Sequence, residues 1–77
     1  MPPDPCFVPR ERFLNFVRAR GYKFKRQALR IEFYKRGTDH IAIPRRDLLE
    51  ERWVRIVLAQ RGVPPNEVDA FIRNAKN

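Results

Sequence analysis

"YKFKRQALRIEFYKRGTDHIAIP", residues 22–44, decides the fold. Side chains of a strand alternate between two faces, so each run in this stretch can be sorted by parity. In "YKFKR" (22–26), Tyr22 and Phe24 point one way, and Lys23 and Lys25 the other. In "RIEFYKR" (30–36), Ile31 and Phe33 share one face, while Arg30, Glu32, Tyr34 and Arg36 share the opposite one. "GTD" (37–39) signals a turn. "HIAIP" (40–44) then sets Ile41 and Ile43 against His40 and Ala42, and Pro44 ends the strand. The short links predict a three-stranded antiparallel meander. Its apolar face would carry Tyr22, Phe24, Ile31, Phe33, Ile41 and Ile43. Its other face would carry Lys23, Lys25, Arg30, Tyr34, Arg36 and His40, with Glu32 as the single acid. A one-residue slip in any strand inverts that strand's two faces.

Helical periodicity flanks the meander. Residues 1–8 hold three prolines and no period, and read as a flexible arm or an edge extension. From Pro9 to Arg20, Phe13, Phe16, Val17 and Arg20 fall at i, i+3, i+4 and i+7, widened by Leu14, and Gly21 suits the position after the helix end. "RRDLLEERWVRIVLAQRG" (45–62) reads as a second helix, with Leu49, Trp53, Ile56, Val57 and Gln60 in one stripe broadened by Leu48, Val54 and Leu58. A short third helix restarts with Asn66 as N-cap, Glu67 and Asp69 in its first turn, and Val68, Phe71 and Ile72 buried. The expected class is α+β, in the order α-β-β-β-α with a short final helix. Phe13, Phe16, Phe24, Phe33, Trp53 and Phe71 are assigned to the core.

The composition narrows the partner. Seventy-seven residues make one domain, residues 9–77, and 43% hydrophobic residues suffice for a globular core. Lys and Arg number 17 against 9 Asp and Glu, a net charge of +8. Such an excess can be a merely soluble surface, but at this density it favours nucleic acid, and Arg suits phosphate contacts and base stacking. No apolar run nears the roughly 20 residues of a membrane span. "MPPDPCF" lacks the pattern of a signal peptide, so a cytoplasmic location is expected. One cysteine, Cys6, and one histidine, His40, make neither an internal disulfide nor a zinc site. No cofactor or metal is expected.

The pieces "FVRARGYKFKRQ", "HIAIPRRD", "VRIVLAQRGV" and "NEVDAFI", in this order and spacing, resemble the HicA-like family over nearly all of the chain after residue 9. The resemblance implies a double-stranded-RNA-binding-domain-like fold. It also implies a small basic toxin of a type II toxin–antitoxin pair that cleaves messenger RNA and is neutralised by a HicB antitoxin. The chain departs from the family at its Gly-Ser-His: Leu29-Arg30-Ile31 stands there, with Ile31 at the catalytic His position. "EERW" replaces the family's Gly-Thr in the second helix.

Metal-independent RNA cleavage needs a base for the 2′-hydroxyl proton, an acid for the leaving oxygen and cations for the phosphorane charge. His40 is the only residue with a fitting pKa, so His40, Tyr34 and Arg30, with Arg36 nearby, are the candidate catalytic set; the competing reading is a His that merely starts an exposed strand. Glu32, among so many cations, is a poor base. RNA binding is expected at Lys23, Lys25, Arg30, Tyr34, Arg36, Arg45 and Arg46. Two other classes compete. A non-catalytic module could bind an acidic protein partner. "VRIVLAQRGVPPNEVDAFIRN" could form a helix-turn-helix on DNA, although Glu67 and Asp69 would meet phosphates badly.

Overall fold

A computed structural model describes residues 6–75. The elements are β1 (Phe7–Pro9), α1 (Arg10–Ala19), β2 (Lys23–Gln27), β3 (Ile31–Arg36), β4 (Asp39–Pro44), β5 (Leu48–Glu50), α2 (Glu51–Gln60) and α3 (Pro65–Ala75). The class is α+β, and the expected meander is present: β2, β3 and β4 form an antiparallel sheet in that order. A second antiparallel sheet, absent from the sequence reading, joins β1 to β5.

This ribbon corrects two expectations. Phe7 and Val8, assigned to the arm, belong to β1, and Val8 is fully buried. Of the other arm residues, Cys6 precedes β1 and residues 1–5 lie outside the described residues. Leu48–Glu50, assigned to the second helix, is strand, and α2 starts only at Glu51. The cause is pairing: Val8 faces Leu49 across the ribbon, the Arg10 amide donates to Asp47 O, and the Glu51 amide donates to Cys6 O. Three residues gain a partner strand where a helical turn would have had solvent. The third helix begins at Pro65, not after an Asn66 cap. Proline suits that first position because its missing N–H would have had no partner there.

Both α1 and α2 end the same way. Gly21 and Gly62 adopt positive φ, +98° and +79°, where a Cβ would be strained. After α1, the Tyr22 amide donates to Val17 O and the Gly21 amide to Arg18 O; after α2, Val63 donates to Leu58 O and Gly62 to Ala59 O. These are paired Schellman closures, and each seals with an apolar contact position, Tyr22 or Val63, that is buried.

The core lies between the helices and one face of the larger sheet. Phe13 of α1 is fully buried, with its ring centroid 5.4 Å from Trp53 of α2 and 6.4 Å from Phe71 of α3. Phe16 lies 4.5 Å from Phe71. Arg55 donates to Asp69 at 2.6 Å, tying α2 to α3. Two expected core aromatics sit elsewhere: Phe24 is 53% exposed and Phe33 only half-buried. Ile56 of the α2 stripe is also exposed. Among the described residues, no helix is long and apolar enough to cross a membrane.

One polar clamp fixes the meander to the helix ends. Tyr22 donates its hydroxyl to Asp39, Arg61 Nε lies 3.5 Å from the same carboxylate, and Arg61 also donates to the His40 carbonyl at 2.5 Å. The Tyr22 bond, followed by the Arg61 charge, holds the Asp39 carboxyl below its ordinary range, although desolvation opposes this. Burial, then the Asp39 bond, raises the Tyr22 hydroxyl. A carboxyl whose folded pKa lies below its unfolded value, about 3.9, adds stability above that value and loses it as pH falls through the folded one. Asp39→Asn should therefore flatten the loss of stability below about pH 4, read from urea midpoints between acid and neutral pH. An unchanged acid limb would show that Asp39 is not the group responsible.

Candidate nucleic-acid interface

Register settles which residues share a face, because directly paired residues of an antiparallel sheet project to the same side. Tyr34 pairs with Phe24 and Ile41, Glu32 with Ile43 and Gln27, and Arg36 with Asp39. Tyr34, Ile41 and Ile43 are buried, so this is the inner face. Every acid of the larger sheet, Glu32 and Asp39, falls on it.

The assignment of β3 is thus inverted relative to expectation. Tyr34 is 1% exposed and cannot take a base. Its hydroxyl accepts from Arg18 at 3.2 Å and donates to Glu32 at 3.4 Å. Glu32 is itself held by Arg10 and lies 3.9 Å from Arg45. Arg10 and Arg18 fall eight residues apart on α1 and so lie on one helix face, where they reach Glu32 and Tyr34 respectively. The residue with a polar tip turns inward because α1 supplies partners for that tip; Ile31 and Phe33 turn outward in exchange.

The outer face therefore carries Lys23, Arg26, Ile31, Phe33, Lys35, His40 and Ala42. Lys23, Arg26, Lys35, His40 and Ala42 are exposed, so no described element covers this side. The residues form two rows across the strands. In one, Lys23 pairs with Lys35 and Lys35 with His40; in the other, Arg26 pairs with Phe33 and Phe33 with Ala42. The rows are about 7 Å apart, two residues along β3 and β4. The Arg26 guanidinium lies 4.2 Å from the Phe33 ring centroid.

A bulge between Phe24 and Arg26 makes this possible. In a regular strand Lys23 and Lys25 would share a face and Arg26 would point away. The extra residue brings Arg26 onto the Lys23 side. Lys25 instead joins Lys23, Lys35 and Arg36 around a shallow concavity at the open edge of β2, near Gly21 and Gly37.

The expected site residues are split accordingly. Lys23, Lys25 and Arg36 come together at the β2 edge. Arg36 is partly committed: it donates to Arg20 O at 3.0 Å, and its guanidinium lies over the Tyr22 ring at 4.6 Å. Arg30, Arg45 and Arg46 line a separate pocket. The candidate catalytic set is not assembled: His40 is on the outer face, Tyr34 on the inner one, and Arg30 precedes β3, at the opposite end of that strand from the Lys35–His40 pair. Sequence reasoning missed Arg26, Phe33 and Lys35. The signal in the sequence is the second alternation in β3, Ile31-Phe33-Lys35, which fits an outward face as well as Glu32-Tyr34-Arg36 does.

The helix-turn-helix reading gains nothing from the geometry. In α3, Asp69 is paired with Arg55 and Glu67 lies 3.9 Å from Arg20, so this helix presents acids engaged within the protein. Among the described residues, no cluster of His, Cys, Asp and Glu is arranged to hold a metal ion. No protein-family model, curated protein or solved structure matches the chain.

Proposed function

We propose that this protein binds single-stranded RNA on the outer face of its larger sheet, as a HicA-like domain without a preassembled cleavage site. The carrying observation is the Lys23–Lys35 pair, directly opposite on the outer face. Like charges directly opposite in a sheet oppose folding, and this face has no acid to offset them. A polyanion laid across the row removes that repulsion and releases counterions.

The second row supplies the other half of single-strand recognition. Arg26 on Phe33 presents a flat cationic surface on which a base can stack, and the small side chain of Ala42 leaves room beside the ring. Single strands fit better than duplexes, whose bases are already stacked. The HicA-like order of sequence pieces favours RNA as the polymer, while Ile31 at the family's His position favours binding over cutting.

The test is incubation with end-labelled RNA, with and without chelator, followed by native and denaturing gels. Retarded, intact RNA is the expected result. No retardation at micromolar protein in low salt would remove the reading. Chelator-resistant cleavage lost in His40→Ala would replace binding with catalysis.

A further inference from the structure

A pocket beyond the Ile31–Pro44 end of the outer face has a different chemistry. Leu29 is 87% exposed, Leu48 50% and Ile31 37%, and with half-buried Trp53 they line one concavity. Arg30, Arg45 and Arg46 surround it, against one acid, Glu50. Arg30 and Arg46 have no ion-pair partner among the described residues. Aliphatic side chains grouped in the open on so charged a small protein mark an interaction surface.

We propose that this pocket docks a protein segment in which a large apolar side chain is flanked by carboxylates. The apolar residue would fill the space over Leu29, Leu48 and Trp53, and the carboxylates would take charge-assisted bonds from the arginines. Charge selects this occupant. A second copy would bring the three arginines of one chain against those of the other across a two-fold contact. RNA would satisfy the arginines and has Trp53 to stack on, but it would leave the exposed aliphatic groups Leu29, Ile31 and Leu48 without a favourable contact, which a large apolar side chain supplies. The inference does not depend on the RNA reading.

The experiment is selection from a phage-displayed library of random peptides on the immobilised full chain. Enriched peptides are synthesised and titrated by fluorescence anisotropy. They should combine a large apolar residue with nearby Asp or Glu, and lose about tenfold or more in affinity on Leu29→Asp and on Arg45→Glu. Leu29 is almost wholly exposed, so Leu29→Asp should unfold at the wild-type temperature; Leu48→Ser is a second, uncharged probe. The proposal is overturned if no peptide enriches, or if enriched peptides ignore Leu29→Asp. A dimer in sedimentation that Leu29→Asp dissolves would assign the pocket to a second copy instead. An RNA affinity that falls tenfold with Leu48→Ser would assign it to nucleic acid.

Discussion

Reversing the charge at Lys23 and Lys35 together should lower affinity for a short single-stranded RNA on the order of 25-fold at about 0.1 M salt. Each phosphate contact to a single strand contributes a slope of about 0.7 in log affinity against log salt, which at 0.1 M is about fivefold per contact, and two are removed. The comparison that gives this number meaning is Arg30→Glu with Arg46→Glu. That pair changes the net charge by the same amount but lies at the other pocket. It should cost about threefold or less, through the long-range field alone. Equal losses in both double variants would mean that the RNA responds to total charge and that the outer face holds no site.

Removing the Phe13 side chain should be the most damaging single truncation. The ring is fully buried and touches both other helices through Trp53 and Phe71, so no neighbour can close over the space without moving a helix. Truncations of this kind cost about 3–5 kcal/mol. A chain of this size has roughly 4–12 kcal/mol in total, so Phe13→Ala should lose a large share of it and about 12 °C or more in melting temperature. Phe24→Ala is the internal control. Phe24 is half-exposed and meets Tyr34 edge-on at 5.7 Å, a contact of about 1 kcal/mol. Similar melting temperatures for the two variants would contradict the placement of the core.

These variants also show what could be read in the sequence. Phe13, Phe16, Trp53 and Phe71 were legible because helical spacing puts them on the apolar faces of their helices. Gly21 and Gly62 were legible as helix ends because only glycine takes the left-handed turn there without strain. The three strands were legible from turn residues and from alternation.

The faces of β3 were not. Its two alternations, Ile31-Phe33-Lys35 and Glu32-Tyr34-Arg36, each mix apolar and charged groups, and the choice between them rests on Arg10 and Arg18 reaching from α1. That is tertiary information. The bulge at Lys25 was hidden for a related reason: it changes the parity of β2 without any glycine or proline to mark it. The ribbon of β1 and β5 was hidden because Leu48–Glu50 fits a helical stripe as well as a strand, and its partner sits in a segment that reads as an arm. The proposed RNA surface consequently uses Arg26, Phe33 and Lys35 in place of Tyr34 and Arg30, keeps Lys23, and has Lys25 at the adjoining β2 edge. The proposal of a polyanion partner rests on charge, which register does not alter.

The most direct measurement is the affinity of the wild-type protein for a short single-stranded RNA across a series of salt concentrations. With Lys23, Arg26 and Lys35 of the outer face and Lys25 at the adjoining β2 edge each meeting one phosphate, log affinity should fall against log salt with a slope of about −2.8. In Lys23→Glu with Lys35→Glu the slope should shrink to about −1.4. A flat dependence in the wild-type protein, or the same slope in both proteins, would contradict an RNA interface on this face.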